Sequence, residues 1–261
     1  MSVVRLIGLG IGYSASPAMQ SAAFAALGLP HDYVLADVRA DELAATVATL
    51  RADDSLGANV TTPHKAAVAQ LVDELEPLAR EIGAVNTVVQ RRGRLLGSNT
   101  DLPALVDAIR QLRPAVKHAV VLGAGGAGRA VVRALAECGA GRVTVVGRRE
   151  EPGVAAWSHL AGSLPEADLL INATKVGTGA SETPVPAALL HRGLAVLDLV
   201  YRPSPTRLVA EARAAGAIAA AGGGVLLGQG WRSLEAWLGV AAPVAIMAAA
   251  LKAELGEGAD V

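Results

Sequence analysis

The stretch from His118 to Gly128 constrains this chain more than any other. A β-branched and apolar run, His118 to Leu122, leads straight into Gly123-Ala124-Gly125-Gly126-Ala127-Gly128, and an Ala-rich segment follows. This is G-x-G-x-x-G in the strand–turn–helix context it requires. In such a turn Gly123 permits the tight bend, Gly125 lets the backbone approach a pyrophosphate, and Gly128 lets helix and strand pack closely. The free amides at the helix start then face an anion. A turn kept only for packing would use the same glycines. About 20 residues past the last glycine, an NAD-binding turn usually carries an acidic residue for the ribose 2′-hydroxyl. Here that point holds Arg148 and Arg149. Forked, charged donors suit a 2′-phosphate, so the position favours NADP as cofactor. The alternative is a solvated basic pair neutralised by Glu150 and Glu151.

Around this turn, short runs of Val, Leu and Ile alternate with Ala-rich segments, the pattern of βαβ units about a mostly parallel sheet. The pattern predicts strands at Val3 to Gly8, Asp32 to Ala36, Gly57 to Val60, Thr87 to Arg91 and His118 to Leu122. Further strands are predicted at Arg142 to Gly147, Asp168 to Ala173, Ala195 to Leu199 and Ala217 to Ala220. Helices are predicted at Pro17 to Leu27, Asp41 to Arg51, Lys65 to Glu74, Leu102 to Gln111, Ala127 to Gly139, Thr206 to Ala215, Gly224 to Leu238 and Pro243 to Leu255. The fold class is α/β. Pro114 and the basic residues of Arg110 to Lys117, ahead of a new strand, mark a domain boundary there or at the preceding helix.

Composition narrows the function classes. A chain of 261 residues that is 52% hydrophobic and 18% charged can build a full core. Its 23 basic and 24 acidic residues leave a net charge of −1, which gives no field to gather nucleic acid or anionic membrane. Aromatics are 3%, too few for a base-stacking surface. The one cysteine, Cys138, excludes an internal disulfide and a multi-cysteine metal site, and reads as helix packing. His64 has no second ligand at metal spacing. Met1 to Gly12 reads as a strand entering a glycine turn, with no export leader. Ala236 to Leu251, interrupted by Gly239 and Pro243, falls short of the roughly 18 to 20 residues of a membrane span. The expected compartment is the cytoplasm.

Five further segments stand in order along the chain: Ser14-Ala15-Ser16-Pro17, Gly57-Ala58-Asn59-Val60-Thr61-Thr62-Pro63-His64-Lys65, Gly83-Ala84-Val85-Asn86-Thr87, Asn99-Thr100-Asp101 and Gly228-Gln229-Gly230. With the glycine turn they make the chain resemble the shikimate dehydrogenase family over nearly its whole length. The resemblance implies a two-lobed α/β protein: a substrate-binding catalytic domain over 1–101, a Rossmann-like NADP-binding domain over 102–222, and C-terminal helices, 223–261, packing back on the first. It implies reversible reduction of 3-dehydroshikimate to shikimate in aromatic amino acid biosynthesis, by a monomer or homodimer with no nucleic-acid or membrane partner and no metal.

Read as residues, Ser16 before Pro17 is an N-cap and first helical turn, so Ser14 and Ser16 would flank free amides at a positive helix end. The family implies that these hydroxyls hold the substrate carboxylate. Lys65, alone, is an ordinary solvated lysine; the resemblance pairs it with Asp101 as acid/base, with Asp101 also touching substrate. Asn59, Thr61 and Asn86 stand at strand ends, where they serve turns or bind a polyol. The family assigns Thr61, Asn86, Tyr201 and Gln229 to substrate, and Leu199 and Gly222 to the cofactor.

The chain also departs from the family pattern. Tyr13 stands where a histidine is usual, and Met19-Gln20-Ser21 where Met-His-Asn is usual. Pro152 takes the place of a second cation, and the segment from Gly147 to Ala167 is short, which predicts a lost βα unit and a narrower sheet. Two rivals follow. A quinate or related-acid dehydrogenase would share the Lys–Asp pair. A catalytically weak dinucleotide-binding paralogue would not need Lys65.

Overall fold

The structure, a computed structural model, describes residues 1–256 and 258–261. The chain forms two compact units, Met1–Asp101 with Leu227–Glu254, and Leu102–Leu226 with Leu255–Val261. The tail is thus divided. Its last residues count with the second unit, where Asp260 pairs with Arg213 and accepts the Ala221 amide at 2.9 Å.

The first unit contains β1 (Val3–Gly8), α1 (Ser16–Ala26), β2 (Asp32–Asp37), α2 (Leu43–Thr49), β3 (Ser55–Val60), α3 (Lys65–Val68), β4 (Glu74–Leu75), α4 (Pro77–Ile82), β5 (Thr87–Arg91) and β6 (Arg94–Ser98). Its six-stranded sheet has the order β2-β1-β3-β5-β6-β4. Ile7, Val47, Leu50, Val60, Val88 and Leu95 belong to its buried core. β1 runs parallel to β2 and β3, but β5 is antiparallel to both β3 and β6. With β4 parallel to β6, three of the five pairings among the described residues are parallel and two antiparallel, so the sheet is mixed. The cause is a hairpin closed by Arg92 and Gly93, whose φ of 52° and 79° match the primed turn that right-twisted strands prefer. β6 is hard to see in sequence because Gly97 interrupts it. A Cβ there would come within 2.6 Å of Val85 Cγ2.

The helix predicted over Lys65 to Glu74 ends at Val68. Asp73 is drawn instead toward β6 and α2's C-terminal turn: it accepts the Leu95 amide at 2.7 Å and pairs with Arg51. The Arg51 hydrogen bond, then the Leu95 amide, hold the Asp73 carboxyl at about 2. A carboxyl lowered on folding stabilises above its unfolded value, about 3.9, and that contribution disappears as pH falls toward 2. Acid unfolding of Asp73→Asn should therefore be less steep between pH 4 and 2 than that of wild type. Equal steepness would show that this pair contributes nothing.

The second unit begins within α5 (Asp101–Leu112) and continues through β7 (His118–Leu122), α6 (Gly126–Glu137), β8 (Arg142–Gly147), β9 (Val154–Ala156), α7 (Leu160–Ser163), β10 (Leu169–Asn172), β11 (Ala195–Asp198), α8 (Arg207–Ala214) and β12 (Ile218–Ala221). α9 (Gly223–Leu238) leads back to the first unit, followed by α10 (Val244–Leu255). The sheet order is β12-β11-β10-β7-β8-β9, and every pairing is parallel. Each residue of β7 is buried, which explains its unbroken apolar run. The order reverses direction between β7 and β10, where open parallel sheets bind ligands beyond their strand ends.

The expected narrowing of this sheet is not found. β9 pairs with β8 in register Val145↔Val154 directly after the link 148–153. Only the intervening helix is missing. A Glu151↔Val154 bridge reverses the chain tightly enough for the return. Gly147 makes room, since its Cβ would sit 2.7 Å from Val154 Cγ1.

Candidate functional site

Strand directions in the first unit bring the motif segments to one sheet edge. β1 and β3 end there, and the antiparallel partners β5 and β6 respectively begin and end there. The loop after β1 carries Ser14 and Ser16, and the loop after β3 carries Thr61 and Lys65. These loops touch: the Leu9 amide reaches the Thr62 carbonyl at 3.3 Å, and a Cβ on Gly8 would meet both Ile11 and Thr61 at 2.5 Å. Asn86 precedes β5, and Asn99-Thr100-Asp101 follow β6.

At this edge Lys65 Nζ donates to Asp101 Oδ2 at 2.7 Å. The two side chains are 32% and 23% exposed, sheltered yet open to a ligand. Asn86 is buried beside them. Its Oδ1 accepts the Thr100 amide at 2.7 Å and the Thr87 hydroxyl at 3.2 Å, and its Nδ2 donates to Thr100 Oγ1 at 2.9 Å. One amide hydrogen of Asn86 remains for other use. The same contacts tie the start of α5, and so Asp101, to β5.

Ser16 is not the N-cap of α1. That position is Ala15, without a side-chain hydrogen bond, and Ser14 Oγ accepts the Ser16 amide at 3.2 Å. The turn begins one residue earlier than the Ser-Pro signal suggests, because Pro17 is accommodated within the first two helical positions. The Ser16 side chain is buried and its hydroxyl has no partner among the described residues. Thr61 is half-buried in the neighbouring loop. Asn59 is spent internally, accepting from Tyr33 Oη at 2.8 Å and donating to Ser233 Oγ at 2.9 Å. His64 is buried and donates Nε2–H to the Val38 carbonyl at 2.7 Å, which pins the loop bearing Lys65. Gln229 lies half-buried on α9, in the same unit. The α9 face behind it is docked by Trp237, whose Nε1 donates to Val88 O at 3.0 Å.

Tyr201 belongs to the second unit, with Leu199 and Gly222, beyond the ends of β11 and β12. Gly222 is required there, since a Cβ would lie 2.3 Å from the Leu199 carbonyl oxygen. The glycine turn divides into two kinds of residue. Gly123 has φ +100°, and a Cβ on Gly128 would stand 1.8 Å from the Gly123 oxygen, so these two are demanded by the protein's own backbone. Gly125 is different. It is the N-cap of α6 with φ −73°, a Cβ on it would meet nothing within 4 Å, and with Gly126 and Ala127 it is exposed. Nothing internal requires a glycine at 125. The residues present fit a phosphate group placed against this backbone, and glycine is also a favoured N-cap in its own right. Ala124 continues the turn. Arg148 and Arg149 follow β8, exposed, without an ion pair among the described residues.

Sequence reasoning missed a carboxylate at the end of β11. Asp198 is buried and accepts from Thr206 Oγ1 at 2.7 Å, Asn172 Nδ2 at 2.8 Å and the Val200 amide at 3.1 Å. Burial pushes its carboxyl up against the pull of these donors. Thr206 also caps α8 by accepting the Val209 amide, so one residue fixes the loop that carries Leu199 and Tyr201. Cys138 is half-buried at the end of α6 and is not part of this edge.

A family model described as the shikimate dehydrogenase substrate-binding domain matches residues 6–88. An NADP(+) shikimate dehydrogenase of Rubrobacter xylanophilus is 44% identical over 273 residues, covering 97% of this chain and 96% of that protein. The chain belongs to the shikimate dehydrogenase family. Among solved members, shikimate 5-dehydrogenase of Thermus thermophilus in complex with NADP(H) and shikimate superposes with a TM-score of 0.88 at 35% identity, covering 98% and 100% of the two chains. Quinate dehydrogenase of Corynebacterium glutamicum in complex with NAD is more distant, with a TM-score of 0.84 at 28% identity, covering 95% and 98%. No helix among the described residues is long and apolar enough to cross a membrane.

Proposed function

We propose that this chain is an NADP-dependent shikimate dehydrogenase that interconverts shikimate and 3-dehydroshikimate. The observation that carries the reading is the contact of Lys65 Nζ with Asp101 Oδ2 at an open sheet edge shared with Ser14, Ser16, Thr61 and Asn86. NADP, when bound, supplies hydride exchange. The glycine turn, with Gly123, Ala124, Gly125, Gly126, Ala127 and Gly128, would hold its phosphates, Arg148 and Arg149 the 2′-phosphate, and Leu199 and Gly222 would line the nicotinamide side. As the neutral amine, Lys65 takes the proton from the reacting hydroxyl during oxidation, and the ammonium so formed returns it to the carbonyl oxygen during reduction. Asp101 orients the ammonium and accepts a hydrogen bond from the substrate. Ser14 and Ser16 bind the carboxylate, and Thr61, Asn86, Tyr201 and Gln229 bind ring hydroxyls. The single cysteine supports a cytoplasmic setting, and the expected assembly is a monomer or homodimer.

Purified protein mixed with shikimate or quinate, and with NADP+ or NAD+, separates the readings by absorbance of the reduced nicotinamide. Shikimate with NADP+ should be the preferred pair. Activity confined to quinate with NAD+ would transfer the chain to the rival class, and no turnover with any pair would favour the binding-only paralogue. Removing both guanidinium groups, R148A with R149A, should raise KM for NADP+ at least about tenfold through lost charge-assisted hydrogen bonds, leaving KM for NAD+ within about twofold. Equal effects on both cofactors would remove the pair from 2′-phosphate recognition.

A further inference from the structure

The helix that bears Gln229 is soft where it matters. Gly223, Gly224, Gly228 and Gly230 occupy its first half, and a glycine inside a helix is less favourable than alanine. Gly230 lies close against α1, where a Cβ would come within 2.2 Å of Met19 Cε, the flexible end of that side chain. Yet the backbone at Gln229 is held unusually well. Three successive carbonyls take side-chain donors. Arg232 Nη1 donates to Gly228 O at 2.8 Å, Ser233 Oγ to Gln229 O at 2.9 Å, and Gln20 Nε2 to Gly230 O at 2.9 Å.

Two of these donors link the helix to the rest of the first unit. Ser233 is fully buried, and its Oγ also lies 2.9 Å from Asn59 Nδ2, 2.7 Å from Thr87 Oγ1 and 3.2 Å from Thr100 Oγ1. Thr100 adjoins Asp101, so the hydroxyl connects Gln229 to the segment that positions the Lys65–Asp101 pair. Gln20 is fully buried on α1, and its Oε1 has no partner among the described residues. A buried amide with one unsatisfied oxygen is destabilising, so stability alone does not account for a glutamine here.

We infer that Gln20 and Ser233 are positioning residues, a clamp on the glycine-softened backbone of α9 that aims Gln229 at the hydroxyls of the bound acid. The inference rests on the role proposed above for Gln229. The clamp acts on substrate affinity, since the contact it supports is with the ring rather than with the transferred hydrogen.

Q20M tests it, because methionine keeps the length and volume of glutamine and removes only the amide. If Gln20 merely filled space, the variant would be at least as stable as wild type and kinetically unchanged. The expected result is an unchanged or raised Tm together with a KM for shikimate increased about tenfold, kcat altered less than threefold and KM for NADP+ unaltered. S233A should shift the same parameter in the same direction. L234A, which trims a buried neighbour on the same helix, should lower Tm and leave KM for shikimate unchanged. Unchanged KM for shikimate in both Q20M and S233A, or an equal rise in L234A, overturns the clamp while wild-type turnover of shikimate still stands. A wild type inert toward shikimate overturns the assignment and the clamp together.

Discussion

Lys65→Ala is expected to lower kcat for shikimate oxidation by about two to four powers of ten, the usual scale of a lost acid/base group. KM for shikimate should move much less, because the carboxylate and ring contacts come from other side chains. The variant should fold normally. Lys65 is partly exposed, and the Asp101 carboxylate it leaves behind stays in reach of water. Steady-state absorbance at saturating NADP+ provides the measurement, with circular dichroism as the control on folding. Turnover within tenfold of wild type would remove Lys65 from proton transfer. Asp101→Asn should lose activity too, and should raise KM as well, because Asp101 is assigned to both the lysine and the substrate.

The second large effect separates two glycines only three positions apart. Gly128→Ala places a methyl group against the Gly123 carbonyl, a backbone atom that cannot rotate away. The turn must deform, at a cost of at least about 3 kcal/mol, and both Tm and cofactor binding should fall. Gly125→Ala meets open space at a backbone angle any residue adopts. Its stability should stay within about 1 kcal/mol of wild type. Binding of NADPH, followed by fluorescence titration, should still weaken about 10- to 100-fold, because the methyl group occupies the position of the incoming phosphate. Undiminished NADPH affinity in the Gly125 variant would mean that the phosphates lie elsewhere.

These results depend on features that differ in how visible they are in sequence. Strands β1, β5, β7 and β8 occupy the residues predicted for them, and of these four β7 alone is buried along its whole length, which accounts for its apolar run. β6 is invisible there. Its apolar content is two leucines, and its existence depends on the Arg92-Gly93 turn and on a close approach to Val85. The lost helix after β8 is legible as missing length, but the retained β9 is not, since three residues carry no periodicity. In the site, Lys65 and Asp101 are individually ordinary in sequence, separated by 36 positions, and only the family pattern places them together. Gln20 is visible only as a departure from the family's Met-His-Asn, and Ser233 gives no signal. A glutamine and a serine in helices ordinarily face water, and their burial is decided by the close approach of α1 and α9 at Gly230. Asp198 escapes notice for the same reason: its meaning lies in three donors from different segments.

The direct passage from β8 to β9 has a consequence for how this protein can diversify. Every residue of 148–153 is exposed. Under the role proposed for Arg148 and Arg149, discrimination between the phosphorylated and unphosphorylated dinucleotide rests on a surface strap whose ends are anchored by the ladder, with no helix to repack when its side chains are exchanged. Preference for one nucleotide pool over another becomes modular here, free to drift while the catalytic pair and the sheet beneath it remain as they are.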